Sequence, residues 1–273
     1  MSRMLMLELR NCLHRKEIKF VFSFLMLISI GGFLLECSRF YGMGMTNIRS
    51  AYEMSLIQGT SVHVLLSVEC ILIPLIASII YSDSFYVDYQ SGVYKSILTR
   101  TDTKTYIWAK GIVTFGVTFF VFLIPLLWNQ LLCLITFPTE GFDNRFALPP
   151  YDIGTQNYNN TFMFDLLRVQ SPLLYNLLYM FLISLVAALF AVFAYGAFSV
   201  FKKGRFATIA GVFSLYVVVE MAVTAWGSFR LSLINLLQSG NQGSLSVLLL
   251  WISILFVLGI VMIAGQSYRF EAK

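Results

Sequence analysis

Two carboxylates, Glu69 and Glu220, stand inside strongly apolar stretches of this sequence. A carboxylate is costly in lipid, so each is expected to face a protein interior, water or a partner. Such a group can contact a substrate or carry a proton, which makes both residues candidates for the buried polar groups of a pathway. The alternative, which we favour, is a structural carboxylate held by hydrogen bonds.

A polar segment wedged between two apolar runs is the second candidate site. It starts at Asp88, passes through Gly92, Lys95 and Arg100, and runs on to Lys110. Only 12% of the residues in this chain are charged and 58% are hydrophobic, so a polar island of this kind must lie in water. The island is therefore a candidate contact for a soluble partner.

Several familiar catalytic motifs are missing from the sequence. There is no GxxxxGK[ST], so the chain does not cradle a nucleotide phosphate in the P-loop manner, and HExxH, GxSxG and paired metal ligands are missing as well. The four cysteines have no CxxC spacing, which favours small buried apolar residues over a disulfide framework or a zinc site. We expect no catalytic residue, no metal site and no cofactor in this chain.

The elements that must position these residues are membrane-spanning helices. A mean hydropathy of +0.76 over 273 residues is too apolar for a soluble domain. A helix needs about 20 mainly apolar residues to cross a bilayer, and six runs approach or exceed that length. They are Phe20–Leu35, Val62–Tyr81, Ile107–Phe137, Pro172–Phe201, Phe206–Gly227 and Ser244–Gln266. The predicted fold is an all-α membrane protein with six transmembrane helices in a single domain, residues 1–273.

Basic residues predict the orientation of these spans. With the N-terminus in the cytoplasm, fourteen of them fall on the inner side and five on the outer side, as the positive-inside rule expects. The inner set is Arg3, Arg10, Arg15, Lys16, Lys19, Lys95, Arg100, Lys104, Lys110, Lys202, Lys203, Arg205, Arg269 and Lys273. Both termini are therefore predicted to be cytoplasmic. Anionic lipid of the inner leaflet explains the net charge of +5, so membrane lipid is an expected partner and nucleic acid is not.

Three segments outside the spans have distinct patterns. Residues 1–19 predict an amphipathic helix at the membrane interface, with Leu5 and Leu9 on its apolar stripe. Residues 82–105, the polar island, suit a short amphipathic helix and a turn. Residues 138–170 form a long outer loop whose six aromatic residues argue for order against the outer mouth.

Small residues predict which spans lie inside the bundle. The fourth span contains several alanines at helical spacing, and the fifth opens with Ala207, Ala210 and Gly211. Small side chains at this spacing let helix backbones approach closely in lipid. We expect both spans to be packed inside the bundle.

The polar island, read with its flanks, resembles the membrane subunits of ABC-2 type transporters, of the branch that accompanies lantibiotic-immunity and peptide or antibiotic export ATPases. The family pattern is an acidic residue, a Gly-Thr, an Ile/Leu pair, a Ser-Arg stretch and a closing Lys. The corresponding residues here are Asp88, Gly92-Val93, Ile97-Leu98, Thr99-Arg100, Lys104 and Lys110. Val93 stands where the family has Thr, and Lys104 where it has a second Arg.

The resemblance implies a division of labour between chains. A separate cytoplasmic P-loop ATPase, acting as a dimer, would bind ATP and Mg and dock onto residues 82–105. Asp88, Gly92, Lys95, Arg100 and Lys104 would carry this coupling, and a second permease subunit, identical or homologous, would complete the pathway. The implied function is export of a hydrophobic or amphipathic substrate, such as an antimicrobial peptide or drug, across a bacterial cell membrane.

Two other interpretations stay open at this point. One is a six-span structural or sensory membrane protein that transports nothing. The other is a secondary transporter driven by protons through Glu69 and Glu220. Inverted repeats and paired broken helices are common in that class, and this sequence shows neither feature.

Overall fold

The fold is helical throughout the part of the chain that the structure, a computed structural model, describes. That part is residues 1–44, 48–99, 101–139, 160–200, 204–226 and 229–271. The chain is 80% helical with no strand in these ranges. Six helices are long and apolar enough to cross a membrane, which confirms the predicted fold class.

The helices of the described residues are named in chain order. They are α1 (Ser2–His14), α2 (Lys16–Phe40), α3 (His63–Ile80), α4 (Ser84–Ser91), α5 (Val93–Leu98), α6 (Thr103–Thr136), α7 (Asp165–Gln170), α8 (Pro172–Val200), α9 (Arg205–Ala225), α10 (Leu233–Leu236) and α11 (Leu245–Glu271), with a 3-10 turn at Phe229–Leu231. The six candidate spans are α2, α3 together with α4, α6, α8, α9 and α11.

Helix α8 forms the centre of the bundle and packs against α6, α11 and α3. Ala187, Ala188 and Ala191 are fully buried. A Cβ added to Gly196 would lie 2.4 Å from the Cβ of Met262 on α11, so only glycine permits this approach of the two helices. The prediction that the fourth span lies inside the bundle is confirmed.

Helix α9 lies at the periphery instead. Only 22% of the residues in its most apolar stretch are buried, and Ala207, Ala210 and Gly211 are exposed. The buried residues of α9 are Thr208, Ile209, Val212, Tyr216 and Glu220. The prediction that its small residues pack inside is wrong, because larger side chains on the opposite face make the contacts.

Helix α1 is separated from α2 by Arg15, whose backbone is extended. It buries Met4, Glu8 and Cys12, which recur every four residues along one stripe. The predicted apolar stripe is displaced from this one: Leu5 is partly buried and Leu9 is exposed. The displacement follows from Glu8, a charged residue that the bundle accepts in its interior.

The segment before α3 folds back into the bundle. Ala51, Met54, Leu56, Ile57 and Val62 are all at most 2% exposed. Buried amides of the spans hold this segment by its backbone. The Leu56 N–H donates to Asn129 Oδ1 (2.7 Å), and amide Nδ2 of Asn176 donates to the Tyr52 carbonyl (2.9 Å).

Most of the predicted outer loop, residues 140–159, lies outside the described residues. Its last part packs on the bundle. The Met163 N–H donates to the Asn241 carbonyl (3.1 Å), and the Phe164 ring meets Tyr179 edge-on with centroids 6.3 Å apart. Residues 160–170 thus pack against the bundle, and the prediction for the whole of 138–170 stays a prediction.

Candidate functional site

The candidate site lies where α1, the end of α3, α4 and the first turns of α6 meet. Asp88, on α4, is half-buried and faces Lys110 of α6, whose Nζ lies 2.8 Å from Asp88 Oδ2. The Tyr106 hydroxyl, one turn earlier on α6, donates to the same carboxylate oxygen. Residues 106 and 110 share a face of α6 because they are four apart, so one carboxylate receives both donors.

Glu8 of α1 completes this group. Its Oε2 accepts from Lys110 Nζ at 3.0 Å and from the Tyr81 hydroxyl at 2.6 Å. Glu8 is 1% exposed and Lys110 is 2% exposed, so this ion pair is almost dry. We refer to Glu8, Tyr81, Asp88, Tyr106 and Lys110 as the Lys110 cluster.

A second group of charges, the Asp83 cluster, adjoins the first. Asp83 lies between α3 and α4 and contacts two guanidinium groups, Arg15 at 2.6 Å and Arg205 of α9 at 2.9 Å. Arg205 also pairs with Glu17 at 3.1 Å. The Arg15 guanidinium lies 4.7 Å from the centre of the Tyr81 ring, which joins the two clusters.

Electrostatics differ between the clusters. Two acids face two bases around Asp83, whereas in the Lys110 cluster one ammonium serves two carboxylates and tyrosine hydroxyls supply the remaining hydrogen bonds. Burial by itself lowers the pKa of Arg15, but Asp83, Tyr81 and Glu17 together outweigh this and raise that pKa above its ordinary value. Burial also raises the pKa of the Cys12 thiol, beside Glu8, to about 12.

Aromatic rings hold the polar island in shape. Phe85 on α4 packs on Tyr106 with ring centroids 6.1 Å apart, and Tyr89 packs on Tyr94 of α5 at 5.1 Å. Between the two helices Gly92 has φ +73°, a left-handed conformation that favours glycine. The predicted short amphipathic helix and turn is therefore a pair of helices, α4 and α5, joined at Gly92.

The predicted coupling residues separate into two groups. Asp88 enters the Lys110 cluster and Gly92 forms the turn. Lys95 is exposed on α5, and Lys104 is exposed with its Nζ 5.9 Å from the Tyr268 ring. Arg100 lies outside the described residues.

Glu220 has a structural environment. Its Oε1 accepts from the Leu233 N–H at 2.8 Å and its Oε2 from the Ser232 hydroxyl at 2.7 Å, so it ties α9 to the start of α10. These contacts agree with the structural interpretation of this carboxylate.

Glu69 on α3 is different. It is 2% exposed and makes no hydrogen bond or ion pair with any residue that the structure describes. A buried carboxylate without a partner is costly, so of the two intramembrane acids Glu69 is the stronger pathway candidate.

Sequence reasoning missed most of the residues that surround Asp88. Arg15 and Arg205 were predicted only as basic residues of the inner side, and Glu8 and Asp83 were not predicted as site residues. The sequence held a signal for one of them. Glu8 interrupts the apolar side of an amphipathic helix, and a carboxylate buried there is costly unless a cation faces it.

The clusters have no free ligand set for a metal ion. Within the described ranges no three His, Cys, Asp or Glu side chains are grouped to hold one, and lysine, arginine and tyrosine donors already engage the carboxylates of both clusters. The ion pairs of the Lys110 cluster connect α6 to α1 and to α4.

Comparison with protein-family models finds no match, and comparison with curated proteins finds none either.

Proposed function

We propose that this chain is the membrane-spanning subunit of a bacterial ABC exporter whose ATP is hydrolysed by a separate P-loop ATPase. The observation that carries the proposal is Lys110, a buried residue that joins the polar island to the membrane bundle through ionic contacts of 3.0 Å or less with Glu8 and Asp88. The resemblance of residues 88–110 to ABC-2 permeases supports the same function.

The connection explains how a force on the island would reach the membrane. Helix α6 has 34 residues and is about 51 Å long at 1.5 Å per residue, whereas the hydrocarbon core is about 30 Å thick. Lys110 lies in the second turn of α6, so it acts near the end of a long lever. A partner that moves α4 pulls Asp88, and Lys110 transmits that motion to α6 and, through Glu8, to α1.

The exposed surface of the island would be the docking face. Lys95 is exposed on α5 and forms no ion pair with the described residues, which leaves its charge available to an acidic groove on the ATPase. Both termini would then be cytoplasmic, on the side of the island. Wide apolar surfaces remain exposed on α9 and α11, since only 22% of the residues in the most apolar stretch of each helix are buried. A second permease subunit would cover part of these surfaces and enclose a path for a hydrophobic or amphipathic substrate.

The proposal is tested by placing a photo-crosslinking amino acid at Lys95 of the full-length chain in its host cells. The expected product contains a polypeptide that photolabels with azido-ATP and whose peptides include a P-loop sequence. Lys95→Glu should reduce co-purification of that polypeptide, because the charge that meets it is reversed. Lys16→Glu is the matched control, since Lys16 is also exposed and lies on the same side but outside the island.

The coupling step needs a separate measurement in the purified complex. In the Lys110→Met variant the ATPase should stay bound, but its ATP hydrolysis should no longer be coupled to transport. A cross-linked partner that does not bind ATP would contradict the proposal. So would a Lys95→Glu variant that co-purifies with as much of that partner as wild type does. Either result would favour the structural or sensory alternative.

A further inference from the structure

An apolar groove lies on the outside of the bundle between α1, α2 and α6. Its volume is about 620 Å³, within the roughly 300–1,000 Å³ of small-molecule sites. Leu9 and Leu13 of α1, Phe22 of α2 and Phe120 of α6 line it, and Gly116 of α6 also contributes to its surface. The exposed apolar side of α1 therefore faces a cavity rather than another helix.

The length of the groove matches one leaflet of a bilayer. Its lining on α6 extends from Ile112 to Ile124, thirteen residues whose twelve steps rise about 18 Å along a helix. Half of a hydrocarbon core of about 30 Å is about 15 Å. The end at Ile112 lies beside Lys110 and the polar island, so the groove runs from the polar end of the bundle toward the middle of the membrane.

Positive charge lies beside the groove at the start of α2. Lys19 lines it and is exposed, and Lys16 lies one turn earlier on α2. Neither lysine forms an ion pair with the described residues. Glu17, the acid between them, is engaged by Arg205 at 3.1 Å.

We propose that this groove is a binding site for one anionic phospholipid of the leaflet in which α1 lies. An acyl chain occupies the groove along Ile112 to Ile124, and the Lys19 ammonium contacts the lipid phosphate. The apolar lining, the length of one leaflet and the unneutralised lysine at one end together select an amphipathic ligand with a negative head. The site would anchor α1 to α6 through a lipid, in addition to the direct contact of Glu8 with Lys110.

Gly116 provides a direct test because an added Cβ there meets no atom within 4 Å. Gly116→Leu should fill the groove without displacing protein atoms. Gly211→Leu is the matched control, because Gly211 also has no atom within 4 Å of an added Cβ. It is exposed on α9, which does not line the groove. Lys19→Gln removes a charge from the groove lining, and Lys95→Gln, which changes an exposed lysine on α5 outside the groove, is its control.

The assay is native mass spectrometry of the purified full-length chain in detergent, with equal amounts of phosphatidylglycerol and phosphatidylcholine added. Wild type should retain one phosphatidylglycerol, and Gly116→Leu should lose it while Gly211→Leu keeps it. Lys19→Gln should reduce the preference for phosphatidylglycerol roughly fivefold, the ratio that corresponds to about 1 kcal/mol for a lysine near an anionic lipid surface. Circular dichroism confirms that each variant keeps its helix content.

Three results would overturn the proposal. They are a wild type that retains no phospholipid, a Gly116→Leu variant that retains as much as wild type, and equal retention of the two lipids by wild type. A dimer that becomes a monomer in Gly116→Leu, without loss of lipid, would assign the groove to a second copy of the chain.

Discussion

Replacement of Lys110 by methionine isolates the contribution of the buried ionic contacts. Methionine keeps most of the side-chain length but removes the ammonium that lies 3.0 Å from Glu8 and 2.8 Å from Asp88. The two carboxylates then face each other at roughly 6 Å or less, where two unit charges repel by about 3 kcal/mol at an effective dielectric constant of 20. Removing one partner of a buried ion pair costs about 3–5 kcal/mol in other proteins. We expect Lys110→Met to lower the free energy of unfolding by about this amount.

A second substitution shows whether the loss is electrostatic. Glu8→Gln in the Lys110→Met background removes one of the two carboxylates, so the double variant should be more stable than Lys110→Met alone. Coupling between side chains in contact is about 0.5–3 kcal/mol, and a recovery within that range is expected.

Two measurements report on these variants. Denaturant unfolding in detergent micelles gives the free energy of unfolding. Labelling of Cys12 as the single cysteine reports on α1, because this thiol is fully buried and burial raises its pKa to about 12, which keeps it protonated and slow to react in the folded protein. Lys110→Met should accelerate this labelling, whereas Lys95→Met, which changes an exposed lysine, should leave stability within about 0.5 kcal/mol of wild type. The reasoning would be refuted if the free energy of unfolding of Lys110→Met lay within about 0.5 kcal/mol of wild type. It would also be refuted if adding Glu8→Gln lowered that free energy further.

Other positions give independent predictions. Gly92→Ala should destabilise the α4–α5 turn by about 1–2 kcal/mol because of the left-handed backbone, with Gly92→Asn costing less; thermal unfolding of both variants measures the difference. Glu69→Leu should increase the free energy of unfolding by about 1–3 kcal/mol, because it replaces a buried carboxylate that has no described partner. If Glu69 lines the pathway, the same substitution should reduce transport. An unfolding titration and a transport assay on the same preparation separate the two effects. Gly59→Ala should lower thermal stability, since its Cβ would lie 2.7 Å from Glu36 Oε1 and 2.9 Å from the Ser55 carbonyl, and a wild-type melting temperature would show that this turn can shift.

The six spans could be predicted because hydropathy is a local property of about 20 residues. The sequence also located the polar island and Asp88. The partner of Lys110 could not be found in this way, because Glu8 is 102 residues earlier and nothing local to either residue specifies the pairing.

The inward fold of residues 48–62 was missed for a related reason. Its apolar residues are too few for a span, and the amides that hold it, Asn129 and Asn176, are single polar residues hidden in long apolar helices. Likewise Glu220 stands out as a charge in lipid, although its hydrogen-bond partners Ser232 and Leu233 show that it connects two helices.

The inward fold also constrains the order of events during biosynthesis. Residues 50–62 leave the ribosome well before their partners, since Asn129 follows Leu56 by 73 residues and Asn176 follows Tyr52 by 124. Until α6 and α8 have been inserted, the backbone groups of this segment have water as their hydrogen-bond partner. That end of the protein is therefore assembled after membrane insertion, when α8 enters the bundle and draws a hydrated segment into its interior.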